Sequence, residues 1–315
     1  MKVVLTGASS FSGLWFAQAL AAGGHDVVMP LRATSIDSYS GIRAARVARL
    51  QSLGRVVLGM EFGSDAFLAW MHEESTPDIF CHHASFVTGH KDEGFNYEQA
   101  FLENVRRFPD LAALLKAGGC KGIVYTGTYY EPDEGVGSIL HEAFSPYALS
   151  KSLSYSVIRY YAQRNGLPIG KFVMPNPFGP FEEKGFTFAM IQKWLANQTV
   201  CVRTPDYVRD NIHVDLLALA YEAFCCRIQT GAKQFLRTAP SGYVESQGEF
   251  ARRFQREFIG RTGLSCPLEI GSQVDFSEPL VRHNSEPAAP RFPQWSEQTS
   301  WDNIIARANW SCSAL

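Results

Sequence analysis

The sequence KVVLTGASSFSG, residues 2–13, passes from a short apolar run into a turn that contains two glycines. Residues 2–5 are typical of a buried parallel strand, and an Ala- and Leu-rich helix is predicted to follow as far as Ala22. A glycine-bearing turn between a strand and a helix is the context of a dinucleotide-binding loop, because free amides at the helix N-terminus attract a pyrophosphate. The alternative is a simple strand-to-helix turn without a ligand.

The alternation of strand and helix continues to about residue 174. Further strands are predicted at 26–31, 55–58, 78–82 and 122–126. This pattern indicates an α/β fold with a parallel, doubly wound sheet of the Rossmann type. After residue 174 the pattern loosens, starting with the proline-rich turn at 175–180. We therefore expect a dinucleotide-binding domain over 1–174 and a smaller mixed α/β substrate lobe over 175–315, interleaved with the sheet.

Composition limits the possible classes of protein. The 315 residues, 46% of them hydrophobic, are enough for one large or two modest cores. The formal charge of -2 predicts neither nucleic-acid nor membrane binding, and no apolar run is long enough to span a bilayer. Seven cysteines without a Cys-x-x-Cys motif, and no signal-peptide pattern, predict a cytoplasmic protein with reduced thiols. No metal site is predicted, because the adjacent His82 and His83 would point to opposite faces of a strand.

Four groups of residues are predicted to meet at the carboxyl ends of the strands, where ligands bind in such sheets. They are the loop 7–13, Arg32 after the second strand, His83–Ser85 after the fourth and Thr128 after the fifth. Arg32 stands where an NAD site usually carries an acid, and its guanidinium suits the 2′-phosphate of NADP. This favours NADP over NAD; the alternative for Arg32 is a solvated loop cation.

A second motif, SPYALSK over 145–151, begins another predicted helix. Ser145 suits the N-cap and Pro146 the first turn, so Tyr147 and Lys151 share one helix face. The neighbouring ammonium is expected to lower the phenol pKa from its usual value of about 10. The pair can then exchange a proton with a hydroxyl or carbonyl group. The alternative is two ordinary helix residues.

Together these motifs resemble the extended short-chain dehydrogenase/reductase family, in its epimerase/dehydratase branch that modifies nucleotide-activated sugars. The resemblance runs from residue 1 to about 282 and also uses Asn176 and the sequence RDNIHVD at 209–215. It implies an enzyme in which Tyr147 carries the proton, Lys151 binds the nicotinamide ribose and Thr128 bonds the reacting oxygen.

The resemblance also implies the remaining contacts of the site. Cofactor contacts are expected from Gly7, Ser9, Ser10, Phe11, Gly13, Arg32, His83, Ala84, Ser85, Tyr147, Lys151 and Pro175. Substrate contacts are expected from Ser85, Thr128, Tyr129, Asn176, Arg209 and Arg282. The two arginines would hold the nucleotide diphosphate, since each can donate in bidentate fashion. Asn104 matches the family's structural or water-holding asparagine.

The sequence departs from the family pattern in two places. Ser10 stands where the family loop normally has a glycine, so it must either shift the loop or bind phosphate through its hydroxyl. Tyr129 and Tyr130 stand where sugar-nucleotide dehydratases carry an acidic pair, and this disfavours elimination of water. The tyrosines either line the sugar site or pack beneath the loop.

Four functions are compatible with this sequence. The favoured one is an NADP(H)-dependent reductase of a nucleotide-activated keto sugar, such as a 4-keto-6-deoxy sugar. The alternative is an NAD-retaining nucleotide-sugar epimerase of the 4-epimerase type. A cofactor-binding sensor without activity is disfavoured by the intact Thr128, Tyr147 and Lys151, and a reductase of small carbonyl compounds is disfavoured by the two arginines. The resemblance further implies a homodimer formed through a four-helix bundle.

Overall fold

The computed structural model describes residues 1–74, 76–89, 94–231 and 234–311. The chain forms two compact units that exchange segments along the sequence. The first comprises Met1–Glu134, His141–Met174 and Ala218–Ala239, and the second comprises Gly135–Leu140, Pro175–Leu217 and Pro240–Leu315. Among the helices that the structure describes, none combines the length and apolar character needed to cross a bilayer.

Strands and helices alternate over most of the chain. The strands are β1 (Lys2–Leu5), β2 (Asp26–Pro30), β3 (Arg55–Val57), β4 (Ile79–His82), β5 (Gly122–Thr128), β6 (Val136–Gly137), β7 (Ile169–Met174), β8 (Asn176–Phe178), β9 (Val200–Val202), β10 (Val208–His213), β11 (Phe235–Thr238), β12 (Pro240–Ser241), β13 (Tyr243–Ser246), β14 (Leu268–Ile270), β15 (Arg282–His283) and β16 (Glu286–Pro287). The α-helices are α1 (Phe11–Ala22), α2 (Gly41–Leu50), α3 (Asp65–Glu73), α4 (Tyr97–Val105), α5 (Phe108–Ala117), α6 (Pro146–Arg164), α7 (Phe186–Leu195), α8 (Val214–Gln229), α9 (Gln247–Thr262) and α10 (Glu297–Ser311).

The first unit is built on a seven-stranded sheet with the order β11-β7-β5-β4-β1-β2-β3, in which every pairing is parallel. Its strands are apolar because both faces are covered; Val3, Val4 and Leu5 of β1 are fully buried. The chain runs outward from β1 to β3 and then returns to β4 on the other side of β1. This confirms the predicted doubly wound α/β fold. The strand order reverses between β1 and β4, and sheets of this kind bind ligands at the carboxyl ends of the strands at such a point.

A proline divides the helical segment between β4 and β5. The sequence predicts one helix over 97–117 that Pro109 kinks or divides, and the structure has two helices, α4 and α5, instead. Arg107 between them adopts a left-handed conformation with φ 49°, and Pro109 lies in the first turn of α5, where a missing amide costs little.

The second unit is smaller and contains both helices and short strands. It has a three-stranded sheet in the order β13-β10-β8 and three strand pairs, β12-β16, β14-β9 and β15-β6. Its core is an aromatic cluster that includes Phe178, Trp194, Phe254 and Trp301. The chain enters this unit after Met174, while residues 218–239 return to the first unit and supply β11.

Candidate active site

The glycine loop after β1 packs closely against the end of β4. Gly7 has φ +73°, and a Cβ on it would lie 2.8 Å from the amide nitrogen of Ala84. A Cβ on Gly13 would lie 2.3 Å from the carbonyl oxygen of Gly7. The Thr6 hydroxyl accepts hydrogen bonds from the amides of His83 and Ala84, at 3.1 and 3.0 Å. Both glycines are therefore required by close backbone approach, and the predicted residues 7–13 and 83–85 lie together.

Ser10, which departs from the family pattern, is the N-cap of α1. Its hydroxyl accepts a hydrogen bond from the amide of Gly13 at 3.0 Å and lies 3.2 Å from His83 Nε2. The sequence offered a shifted loop or a phosphate-binding hydroxyl. In the structure this hydroxyl caps the helix and contacts the histidine, so it uses one of the helix amides that a glycine at this position would leave for an anion.

Two cations that sequence reasoning missed lie against this loop. The Arg43 guanidinium donates to the Ser9 hydroxyl at 3.0 Å, and Arg46, only 1% exposed, donates to the Ser9 carbonyl at 3.4 Å. Arg43 and Arg46 are three residues apart on α2, and this spacing places both arginines on one side of the helix. Arg32 is exposed just beyond β2, as expected for a loop residue.

The residues after β4 carry polar atoms suited to a ligand. His83 Nδ1 and Ser85 Oγ are buried and have no hydrogen-bond partner within the described part of the chain. Burial, and to a smaller extent the charge of Lys151 and the neighbouring His82, lower the pKa of His83 to about 3, so its imidazole is neutral. Buried polar atoms without partners are costly unless a ligand or water satisfies them. Together with the close-packed glycine loop, they fit a dinucleotide.

Asn104 on α4 is a structural residue at the same strand end. Its side-chain oxygen accepts from the amide of Phe86 at 2.9 Å, and its nitrogen donates to Ser154 on α6 at 3.3 Å. Its backbone oxygen lies 2.7 Å from His82 Nε2. The asparagine thus connects the end of β4 to α4 and α6, which agrees with a structural role.

Thr128, Tyr147 and Lys151 all belong to the first unit, with Thr128 as the last residue of β5. Ser145 caps α6 by accepting from the amide of Ala148 at 3.3 Å, as predicted. Lys151 is buried, and its ammonium lies 4.5 Å from the centre of the Tyr125 ring. Burial lowers the Lys151 pKa to about 8; Glu131 opposes this shift and Lys171 adds to it.

The pKa of Tyr147 does not follow the expectation from the sequence. Burial raises it above its ordinary value, and the charge of Glu131 and the nearby Tyr130 raise it further. The expected lowering of this pKa by Lys151 is not found in the structure, because desolvation of the phenolate and a neighbouring carboxylate both raise it. The phenol form of Tyr147 is favoured, which suits it to donate a proton.

A buried charge network beneath Thr128 was missed from the sequence. Glu131, fully buried, accepts from the Thr128 amide at 2.8 Å and from Lys171 Nζ at 2.6 Å. Lys171 also pairs with Glu134 at 2.9 Å, and Arg237 pairs with the other oxygen of Glu134 at 2.7 Å. The sequence signal was a lysine inside the apolar strand IGKFVM, since a buried cation needs an acidic partner.

Gly127 has no side chain because this network occupies the space beside it. A Cβ there would lie 2.6 Å from a Glu131 oxygen and 2.7 Å from Cε of Lys171. Tyr129, predicted to bind substrate, is fully buried with Val173 and Ala239, and its hydroxyl bonds that of Tyr130 at 3.1 Å. Tyr129 therefore packs in the core, which is the alternative to lining the sugar site that the sequence left open.

The other predicted ligand residues belong to the second unit. Pro175 is buried, and Asn176 begins β8 and pairs with Asn211 of β10. Val208 and Val281 form a β-bridge between two parallel segments. Arg209 and Arg282 are the next residues along these segments, so their backbones lie side by side.

Both arginines are buried and already make contacts within their unit. Arg209, 2% exposed, pairs with Glu278 at 2.8 Å and donates to the carbonyl of Pro279 at 2.9 Å. Arg282 donates to the carbonyl of Ile139 at 2.7 Å.

The fold and the family comparison define an enzyme of the extended short-chain dehydrogenase/reductase type. The chain belongs to the NAD dependent epimerase/dehydratase family, whose model matches residues 3–234, and this confirms the resemblance drawn from the motifs. No curated protein is significantly similar to it in sequence.

Solved structures with the same fold include several nucleotide-sugar 4-epimerases. UDP-glucuronic acid 4-epimerase from Bacillus cereus, a mutant in complex with NAD and a UDP-sugar analogue, is 16% identical with a TM-score of 0.74 and 100% coverage of both chains. UDP-glucose 4-epimerase from Stenotrophomonas maltophila, with bound NAD, is 18% identical with a TM-score of 0.74, covering 99% of this chain and 98% of that one. UDP-glucose 4-epimerase from Thermotoga maritima is 13% identical with a TM-score of 0.73, covering 99% and 100%. At these identities the similarity establishes the fold.

Proposed function

We propose that the protein is a nucleotide-sugar epimerase of the 4-epimerase type that retains NAD. The observation that carries this proposal is that Thr128, Tyr147 and Lys151 belong to the same unit as the glycine loop, in a chain of the epimerase/dehydratase family. The three solved structures described above are 4-epimerases, two of them with bound NAD, and they support the epimerase over the reductase.

Each residue of the candidate site has a role in this proposal. Tyr147 takes the proton of the reacting sugar hydroxyl and returns it to the same oxygen when the carbonyl is reduced. Thr128 orients that oxygen by a hydrogen bond, and Lys151 holds the ribose beside it. A bound nicotinamide supplies the hydride acceptor and donor and, when oxidised, a positive charge. Because the phenol form of Tyr147 is favoured, proton abstraction depends on positive charge close to its ring.

The cofactor is held by the first unit. The close-packed glycine loop and the N-terminus of α1 bind the pyrophosphate, with Arg43 and Arg46 adding positive charge beside Ser9. Ser85 Oγ and His83 Nδ1 find in the cofactor the partners that they lack among the described residues. In the second unit, Asn176, Arg209 and Arg282 bind the nucleotide diphosphate.

The cofactor released on denaturing the purified protein tests this proposal. About one equivalent of NAD per chain, together with interconversion of a UDP-sugar and its 4-epimer without added cofactor, is the expected result. A protein that releases no dinucleotide, and that consumes NADPH with a keto sugar, is a reductase instead.

An NADPH-dependent reductase is the second candidate, and the cations near the end of β2 favour it. Arg32 is exposed directly after β2, and Arg43 bonds Ser9 in the cofactor loop. Both guanidiniums suit a 2′-phosphate better than a ribose hydroxyl.

Replacing Arg32 with aspartate separates the two candidates. If Arg32 holds a 2′-phosphate, Arg32→Asp should weaken NADPH at least about tenfold relative to NADH, because a charge-assisted hydrogen bond contributes about 1.5–3 kcal/mol. Fluorescence titration of both cofactors, after removal of any bound dinucleotide, measures this ratio. Arg49→Asp is the matched control, since Arg49 on α2 bonds Gln18. An unchanged ratio in Arg32→Asp would leave the NAD-retaining epimerase.

Arg209 can be tested with UDP alone. Arg209→Ala should weaken UDP about 10- to 100-fold by calorimetry if the guanidinium holds phosphate. Glu278→Gln is the control, because it removes the partner of Arg209 and keeps the cation. A purely structural arginine gives equal UDP affinities in Arg209→Ala and the parent, with a lower melting temperature only.

The homodimer stays a prediction. Its bundle would use α6 and the helices before β5, and Leu102 on α4 with Leu153 and Tyr160 on α6 are exposed apolar side chains there.

A further inference from the structure

Three side chains of the first unit that take no part in the candidate active site form a compact group. His25 Nε2 lies 3.0 Å from a carboxylate oxygen of Glu222. Cys226 Sγ lies 3.1 Å from the same oxygen and 3.7 Å from His25 Nε2. An imidazole nitrogen, a carboxylate oxygen and a thiol therefore face one another at mutual distances between 3.0 and 3.7 Å.

Local structure holds these three groups in place. Gly24, with φ +75°, ends α1 in a Schellman motif, in which the amide of His25 bonds the carbonyl of Leu20 at 3.1 Å and the amide of Gly24 bonds that of Ala21 at 3.0 Å. Glu222 and Cys226 are four residues apart on α8 and so share a face. The histidine is thus fixed by a rigid turn and the other two by a helix.

The spacing matches the coordination of a borderline divalent metal. Zinc binds sulfur at about 2.3 Å and nitrogen or oxygen at about 2.0–2.2 Å, which places tetrahedral donor atoms roughly 3.4–3.6 Å apart. The observed distances bracket this range, so binding needs only small side-chain movements. Side-chain exposures of 11% for His25 and 23% for Glu222 leave a side open for a fourth ligand from water.

We propose that His25, Glu222 and Cys226 form a binding site for a borderline divalent cation, with Zn²⁺ the best match to one nitrogen, one oxygen and one sulfur donor. The site is separate from the candidate active site. His25 directly precedes β2 and so lies at the amino ends of the parallel strands, whereas Thr128 ends β5 and lies at their carboxyl ends. The bound ion links the α1–β2 turn to α8, although His25 and Glu222 are 197 residues apart along the chain, and so stabilises the first unit.

The sequence does not reveal this site because residues 25 and 222 are far apart along the chain. The prediction of no metal site was based on the adjacent His82 and His83 and considered only metal-binding residues that are close together along the chain. Only the fold brings the turn after α1 against α8. The proposal does not depend on the reaction that the enzyme catalyses.

Cobalt and zinc titrations of the full chain, stripped with a chelator, test the proposal. One equivalent of Co²⁺ should produce the thiolate-to-metal absorption band of a cysteine-bound ion, and Zn²⁺ should abolish it. Cys226→Ser should lose this band and weaken Zn²⁺ at least tenfold. Cys201→Ser should keep both, although Cys201 also bonds a carboxylate, Glu269, at 3.1 Å. No band in the parent protein, or equal behaviour of the two serine variants, would overturn the site.

Thermal melting with and without Zn²⁺ distinguishes the loss of a metal site from a folding defect in a variant. Zinc should raise the melting temperature of the parent by several degrees, because an ion that binds only the folded state stabilises it. His25→Gln and Glu222→Gln should melt close to the parent in chelator but lose the response to zinc. An undiminished response in both variants contradicts the proposal, even if Cys226→Ser fails to fold.

Discussion

Tyr147→Phe should lower turnover about 10²- to 10⁴-fold while leaving the dinucleotide bound, because it removes the one hydroxyl that moves the proton. The ring itself is kept, so its edge-on contact with Phe95, at 5.9 Å between centroids, is preserved and the fold should not change. Initial rates of UDP-sugar epimerisation, with bound NAD quantified in the same preparations, measure the effect.

Tyr130→Phe is the matched control for this experiment. Its hydroxyl bonds that of Tyr129, and its ring lies 4.4 Å from Phe144, so it is a nearby tyrosine held by packing. Turnover of Tyr130→Phe should stay within a few-fold of the parent. If Tyr147→Phe retains turnover, or if it unfolds at a lower temperature and loses NAD together with activity, Tyr147 is a core residue and the catalytic proposal fails.

The sequence predicts the parallel sheet well because its signals are local. Most of its strands are short apolar runs, most of the breaks carry glycine or proline, and the strand-to-helix turn at 2–13 indicates the type of sheet. Pro109 is a similar case, because a missing amide and a fixed φ act on their own turn of helix. Local chemistry also explains the capping of α6 by Ser145.

What the sequence could not predict depends on contacts between distant segments. The pKa of Tyr147 is set by burial and, to a smaller extent, by Glu131, and neither follows from the position of Lys151 one helical turn away. Arg46 looks like a surface residue of a basic helix until the fold places it against Ser9. Lys171 is the exception, because a lysine within an apolar strand predicts a buried acidic partner. The sequence does not identify which acid this partner is.

The second large effect is expected from the network beneath Thr128. Lys171→Met leaves Glu131 and Glu134 buried without their shared cation, and breaking a buried ion pair in this way costs about 3–5 kcal/mol of unfolding free energy. Denaturant-induced unfolding measures the loss. Arg107→Met is the control, because Arg107 is 46% exposed and pairs with surface acids, and such pairs contribute only about 0–1 kcal/mol.

The dependence on pH identifies the cause of that loss. Burial already raises the pKa of Glu131 in the folded protein, and removing Lys171 removes the main opposing influence. A carboxyl whose pKa is higher folded than unfolded binds more protons in the folded state, so stability rises as the pH falls. Lys171→Met should therefore regain stability below neutral pH, whereas a simple packing defect would not.

A second substitution distinguishes charge from shape. Glu131→Leu combined with Lys171→Met should be more stable than Lys171→Met alone, because an apolar pair of similar size carries no desolvation penalty. The double variant should still lose activity, since Thr128 no longer donates its amide to Glu131 and the end of β5 loses the contact that fixes it. Equal stability of Lys171→Met and Arg107→Met would show that the network does not stabilise the sheet. Full activity of the double variant would show that the network does not position the threonine.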